Sequence, residues 1–535
     1  MNTIFWAPII EKYKTQSGKL NNAINYYLEF SETLTGGHTE KAILSTTDKI
    51  SLYSDSSNRV KFRITQRTID NDDAFIFLNI KNHTEKEHTL KFSLVFLQVD
   101  NFNARELSSF YRPPSFSNRY GENKLSTPSS YISTNKGSTV LSKAIFYHDN
   151  IMNYEDLTQS ITKKLINETD PIKYSLRNGA LHVNIEIKIP TGNNMDFFLL
   201  ISEQSLFSSE DSFHSFFSDL GTSIENNDVR YNMWITAEGT YTKLPYSIEP
   251  FSPDGYGINL HHMSKKELMR HYKDKEDRFF YDLMYNAIIQ FFGYRPSHRG
   301  LFLTNYTSTW LKKDYNIRAP YIDTRLNETL SLAIQDYLKF IDFPDLKNFH
   351  LNYADFLVVY SNSGQLLFVA EDAYFFPDYF ALNNDAKITH SSLNHQLGIL
   401  NYLLDKAKFT INEKYLIVAK SLIKAIERTC ESWIKENNDL YYKIYLDESN
   451  NLAYSETDYV YVTLIDLFIL QSNILEFFGR KNKSINKLIL SKMKYLDSQC
   501  YGLNDENAKL PPNEDISSRK MAQKLALKLG YINKD

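Results

Sequence analysis

Across Pro245–Gly257, PYSIEPFSPDGYG, the apolar period of this chain changes, and no single kind of regular element satisfies both sides. Before that stretch, apolar residues recur every second position in short β-branched and aromatic runs: Val60–Thr68, Ala74–Lys81, Leu90–Val99, Thr139–Tyr147, Ala180–Pro190 and Asp196–Ser202. In Leu90–Val99 the alternation puts Leu90, Phe92, Leu94 and Phe96 on one face; in Ala180–Pro190 it puts Leu181, Val183, Ile185, Ile187 and Ile189 inward. A period of two marks strands with one buried face, and many such strands between polar turns predict an antiparallel sheet structure. After the stretch the period becomes helical, in Ser264–Phe292, Asn327–Asp342, Asn412–Glu436 and Ser484–Asp497. The expectation is an α+β chain: an N-terminal antiparallel β-sandwich over residues 1–250, then helices paired in an α/α array over 251–535. Hairpins are expected at Phe356–Ala370, around Asn362-Ser363-Gly364, and at Tyr441–Tyr454. Asn101–Lys136, rich in Ser, Pro, Asn and Tyr, reads as a long loop that could reach a neighbouring site through Arg105, Tyr111, Arg112 or Arg119.

At 535 residues the chain exceeds what one core usually serves. A net charge of −4 and the lack of a long basic block give no footprint for nucleic acid. Two cysteines, Cys430 and Cys500, imply no disulfide framework. No apolar run is long enough to span a bilayer, and the N-terminus lacks a basic stretch ahead of a long apolar one. A soluble, cytoplasmic protein is therefore expected, with a homodimer admitted as an assembly. Aromatic content is unusual, with 37 Tyr and 35 Phe against 4 Trp. Such rings suit stacking on sugars, whose C–H faces meet the ring while a tyrosine hydroxyl bonds outward. Compositional bias of the source gives the same excess.

The helical half centres on His390–Asp405, HSSLNHQLGILNYLLD. Leu393, Leu397, Leu400 and Leu404 form one stripe, and Asn394, Gly398, Asn401 and Asp405 form another beside it. The pattern fits a helix with one side in a core and the other along a polar cavity, or a plain amphipathic helix in water. Three further stretches carry chemistry-bearing residues. Arg318–Glu328, RAPYIDTRLNE, with Trp310 and Asp314 just before it, gathers Arg318, Asp323, Arg325 and Glu328 at a helix start, as a carboxylate-binding or catalytic loop or as an Asp323 or Thr324 cap with salt bridges. Glu371–Phe380, EDAYFFPDYF, mixes Glu371, Asp372 and Asp378 with aromatic rings, as proton transfer and stacking on a sugar require, or as core plugs with solvated acids. Asp458-Tyr459 opens an expected buried helix Asp458–Phe478, where a first-turn tyrosine feels the positive end of the helix dipole. Nucleotide loops, HExxH, Gly-x-Ser-x-Gly and paired-cysteine zinc patterns are missing from the sequence, so no metal or cofactor is expected. His390 and His395 lie too far apart on one helix to share a metal and read as polar lining or surface.

Ser392–Asp405, SLNHQLGILNYLLD, and Thr457–Ile474, TDYVYVTLIDLFILQSNI, resemble the α/α domain of D-glucuronyl C5-epimerases. That family's glycine-tryptophan-proline segment is not found, and the histidine it carries after the tyrosine corresponds here to Tyr461 or Val462. The resemblance implies a β-sandwich followed by an α/α toroid, acting on a uronic-acid-containing or related polysaccharide without a cofactor. The implied chemistry removes the proton beside the carboxylate and returns it to the opposite ring face. It assigns Tyr459 and Tyr374 to proton transfer, Arg318 or Arg325 to the carboxylate, Asn394 to positioning, and Tyr379 and Tyr402 to substrate contact. Rival readings are a glycoside hydrolase or polysaccharide lyase, with Glu371, Asp372 or Asp378 as acid and base, and a non-catalytic carbohydrate-binding or scaffold protein.

Overall fold

The computed structural model describes residues 4–6, 26–30, 35–55, 57–106, 115–117, 121–123, 130–216, 232–263, 266–293, 300–504, 508–511 and 516–533. Tyr111, Arg112 and Arg119 lie outside these. The long helices follow the strand Gly255–Ile258, with only short strands between them, and most strands precede it. They pair antiparallel into a five-stranded sheet and a thirteen-stranded one. The alternating runs explain why these two sheets meet. Leu90, Phe92, Leu94 and Phe96 of one strand and Leu181, Val183, Ile185 and Ile187 of its neighbour bury against Ile64, Ile76, Leu78, Phe197 and Leu199 of the larger sheet. The intervening Phe75, Phe77, Phe198 and Leu200 point to the sheet's other face, where helices cover them. Burial on both faces makes Ala74–Leu78 and Phe197–Ile201 of those central strands unbroken apolar runs.

The helices are α1 (Lys266–Lys275), α2 (Arg278–Gly293), α3 (Thr309–Tyr315), α4 (Thr324–Tyr337), α5 (Leu351–Tyr360), α6 (Leu393–Thr410), α7 (Glu413–Thr429), α8 (Val462–Phe478), α9 (Lys483–Ser498) and α10 (Ile516–Leu529). Phe280, Met284, Ile288 and Phe291 of α2 and Leu330 and Ile334 of α4 share a core with the large sheet. Polar ties reinforce this seam: buried Arg67 donates to Asp48 and Asn286, and Arg278 pairs with Asp73. Farther from the sheet, α4, α6 and α8 stand side by side, with α7 and α9 packed against α6 and α8 by single apolar stripes. No helix among the described residues is long and apolar enough to cross a membrane.

Several local expectations change. The hairpin expected at Phe356–Ala370 begins as helix α5, because Tyr353, Ala354 and Leu357 bury at helical spacing against the core. The hairpin itself is shifted to Leu367–Ala370 and Ala373–Phe375. Asn101–Lys136 is not one loop: Phe102–Glu106 pairs with Ser130–Thr134. Arg105 is held within this region by Glu210 and over the Phe213 ring. The stretch from Ser264 divides into α1 and α2 at Glu276, which sits in a left-handed conformation with φ of 53°. The helix expected from Asp458 starts at Val462, so Tyr459 lies outside its first turn and the dipole does not act on it as supposed.

Candidate functional site

Three chain segments converge ahead of α4 and α6. Strand Tyr321–Asp323 pairs with Tyr379–Ala381, which sets Asp323 opposite Tyr379. The main-chain N–H of Asp378 donates to the carbonyl of His390, and Ser391–Ser392 pairs with the strand Tyr441–Leu446. Asp378 is thereby fully enclosed, at 0 % exposure. Its carboxylate accepts from the Ser392 N–H at 2.9 Å and the Ser392 hydroxyl at 2.5 Å. His390 Nε2 stands 3.3 Å from one oxygen and His395 Nδ1 3.5 Å from the other. Burial by itself pushes the carboxyl up, but the two histidines and Ser392 outweigh it and hold Asp378 below the usual carboxylate range.

His395 lies on the first turn of α6 and is buried. Its Nδ1 lies 2.8 Å from the Thr324 hydroxyl, which is 3.0 Å from the main-chain oxygen of Asp378. The threonine has one proton, and giving it to that carbonyl leaves its oxygen to accept from Nδ1–H. The nearby carboxylate favours the same tautomer. On this assignment Nε2 keeps its lone pair and has no protein partner among the described residues. Burial pushes the ring down to about 4 against the pull of Asp378, so His395 is neutral at pH 7 and Asp378 relies there on Ser392 and His390. His390 is engaged at both nitrogens, with Tyr315 OH at 3.0 Å from Nδ1.

Asp323 caps α4 by accepting from the Leu326 N–H at 2.9 Å. Burial pushes its carboxyl up to about 7, with the charge of Asp378 adding to the effect against that hydrogen bond. Two residues on, Arg325 is clamped by Glu328 at 3.1 Å and Asp466 at 2.9 Å. Gly398 makes that possible, because a Cβ there would lie 1.9 Å from Arg325 Nη1. The polar stripe of α6 borders this cluster: the Asn394 carbonyl accepts from Arg325, and Asn401 donates to the Asp466 carbonyl. The Asn394 side-chain oxygen is buried and has no donor among the described residues.

Aromatic rings line the approach. Trp310 lies 5.6 Å from Tyr379 and 5.8 Å from His390, and Tyr379 lies 6.2 Å from His395. Tyr442 bridges His390, at 6.3 Å, and Tyr459, at 5.5 Å. Trp310 and Tyr459 remain 37 % and 47 % exposed, which puts them at the rim.

Of the residues singled out in the sequence, Asp378, Tyr379, Asn394, Arg325 and Tyr459 thus come together. Others do not join them. Tyr374 is buried between Phe368 and Phe376, and Glu371 sits exposed on the hairpin turn. Tyr402 is buried against Tyr353 and donates to the His350 carbonyl. Arg318 is paired with Asp385 and Asp156. Read from sequence alone, His395 and His390 are lining or surface, Trp310 stands only beside the Arg318–Glu328 stretch, and Tyr442 carries no signal. The spacing HSSLNH before a leucine-striped helix was the available signal for the histidines.

No protein-family model and no curated protein matches this chain. Among solved structures, it is similar to cellobiose 2-epimerase from Bacillus thermoamylovorans, with 12 % identity over 54 % of this chain and 71 % of that one and a TM-score of 0.37. A family 76 glycoside hydrolase from a bovine Bacteroides thetaiotaomicron strain covers 86 % of this chain and 84 % of its own, at 12 % identity and a TM-score of 0.38. D-mannose isomerase covers 50 % of this chain and 69 % of its own, at 16 % identity and a TM-score of 0.33. At these scores the functional reading rests on the site itself.

Proposed function

We propose that this chain is a carbohydrate-active enzyme, a β-sandwich joined to an α/α toroid, that moves a proton on a sugar carbon next to a carbonyl. The observation that carries the reading is His395: a neutral imidazole, oriented through Nδ1, whose Nε2 has no protein partner among the described residues and which stands beside the ring of Tyr379, itself beside Trp310. A base for such a step needs a lone pair at working pH and a fixed orientation. His395 Nε2 takes the proton from carbon, and the Asp323 carboxyl, protonated below about pH 7, gives one to the carbonyl oxygen. The Asp323 carboxylate then takes a hydroxyl proton back from the enediol while carbon gains one, from the His395 imidazolium at the neighbouring carbon to give an isomer, or from water on the other face of the same carbon to give an epimer, with the imidazolium losing its proton to solvent. Trp310, Tyr379, Tyr442 and Tyr459 supply the stacking surface.

The hydrolase reading needs two carboxyl groups free to work at one glycosidic bond. Asp378 is saturated by donors, while Glu328 and Asp466 are committed to Arg325. Of these four carboxyl groups Asp323 is the one without an ion-pair or serine clamp among the described residues, which favours proton transfer at carbon. The test is incubation with a panel of reducing sugars and uronic-acid glycans in deuterated water, followed by proton NMR and a reducing-end measurement. Deuterium entering beside the carbonyl without chain cleavage is the expected result. New reducing ends without exchange would replace this reading with the hydrolase.

A further inference from the structure

Charge around the cleft restricts what it can hold. Its one guanidinium, Arg325, faces protein carboxylates on two sides: Nη2 is 2.9 and 3.2 Å from the Asp466 oxygens, and Nη1 is 3.1 Å from Glu328. The second Nη1 proton is directed to the Asn394 carbonyl at 3.4 Å. Because Gly398 presents only backbone, Arg325 Nη1 and the Glu328 carboxylate come close against α6 within this clamp. The other cations nearby are also taken: Arg318 by Asp385 and Asp156, Lys312 by Glu249, and Lys443 by Glu456. Among the described residues, Asp378, Glu328 and Asp466 therefore stand around the site with Arg325 already shared between two of them and the outer cations paired elsewhere. An entering anion would meet carboxylates and no cation ready to receive it.

A second observation is independent of charge. The Asn394 side chain is buried on the same helical face as Gly398, and its Oδ1 has no donor among the described residues. A buried acceptor without a partner costs about 1–3 kcal/mol. A hydroxyl group on a ligand would relieve that cost.

Resting on the proton-transfer reading above, we infer that the cleft takes an uncharged sugar and rejects the uronate of the same ring. In this arrangement the Glu328–Arg325–Asp466 clamp is a wall of the site rather than an anion receptor, and Asn394 accepts from one sugar hydroxyl. This reverses the role the resemblance gave Arg325.

The experiment is a ligand-observed NMR titration of the full chain at pH 7.5 with neutral hexoses and disaccharides, each beside its matching hexuronate. Binding of a neutral sugar at least about tenfold tighter than its uronate is expected, since like charges juxtaposed in a partly desolvated site are penalised. Asp466→Asn frees one arm of Arg325 and is expected to reduce that preference to about threefold or less. Glu328→Gln provides the same comparison if the first variant does not fold. Asn394→Leu is expected to weaken the neutral sugar by about tenfold, the loss of one buried hydrogen bond. Uronates binding more tightly to the unaltered chain would overturn the inference, as would no binding by any sugar. Deuterium exchange on the same samples separates the two proposals. Exchange with a preference for uronates removes the charge argument alone, and neutral preference without exchange removes the reaction alone.

Discussion

Two buried ionic centres sit just ahead of neighbouring inner helices, Asp378 before α6 and Asp458 before α8. In the second, Lys492 Nζ lies 2.6 Å from Asp439 and 3.0 Å from Asp458, and the Thr463 hydroxyl donates to Asp458 at 2.6 Å. Lys492 and Asp458 are both buried, and burial pushes the Asp458 carboxyl up to about 6 against the pull of Lys492. The first centre is as deeply placed, yet one of its members, His395, keeps a ring nitrogen without a protein partner. Burial and a shifted carboxyl are common to both. What separates them is that the partners of the second centre are used up on each other. A perturbed buried group indicates chemistry only where it also keeps an atom open to a ligand.

Removing one member from each centre gives the widest contrast. His395→Gln is expected to lower turnover by about 10²–10⁴-fold, the range for loss of a positioned base, while the melting temperature changes little. Turnover within about threefold of the unaltered chain in a steady-state assay would break the comparison.

Lys492→Met should do the reverse. It leaves Asp439 and Asp458 buried without their cation, at a cost of about 3–5 kcal/mol in urea unfolding, while turnover per folded molecule stays the same.

The pH dependence sharpens the contrast next. His395, lowered to about 4, must be neutral to accept a proton, and Asp323, raised to about 7, must be protonated to give one. A bell-shaped kcat/KM profile with limbs near pH 4 and 7 is expected, and Asp323→Asn should abolish the alkaline limb and lower the rate. Their stability contributions have opposite signs. His395, depressed on folding, contributes stability that is present above its unfolded value of 6.5 and lost as pH falls toward 4. Asp323, raised on folding, contributes stability that is present below 3.8 and lost as pH rises through 7. Comparing urea midpoints of the chain and the two variants over pH 4–8 resolves the two slopes.

The smallest effect is expected at the rim. Tyr459→Phe removes a hydroxyl from a half-exposed ring that meets Tyr442 edge-on and shares a hydrogen bond with the Tyr442 phenol. Turnover should change within about twofold, the scale of an ordinary surface substitution, and a loss of about 10²-fold or more would restore Tyr459 as a proton-transfer group.

The strand faces around Leu90–Phe96 and Leu181–Ile189 and the leucine and amide stripes of α6 were legible in the sequence. Each depends on which side of one element is apolar, a property local periodicity carries. The same stripe marked Asn394 and Gly398 as bordering something polar, but not that Gly398 makes room for Arg325 from α4. Tertiary packing also made Leu351–Tyr360 a helix, since an apolar run bounded by turn residues fits either element until its neighbours are known. The site itself was least legible. Asp323, Asp378, His390 and His395 are separated by up to 72 positions and meet only because Tyr321–Asp323 pairs with Tyr379–Ala381 and Ser391–Ser392 with Tyr441–Leu446. Chain composition supplied the acids, imidazoles and rings. The antiparallel pairings ahead of α4 and α6 decided which were enclosed, and burial then set which hold protons, because desolvation and partner geometry belong to the folded environment and not to the residue type.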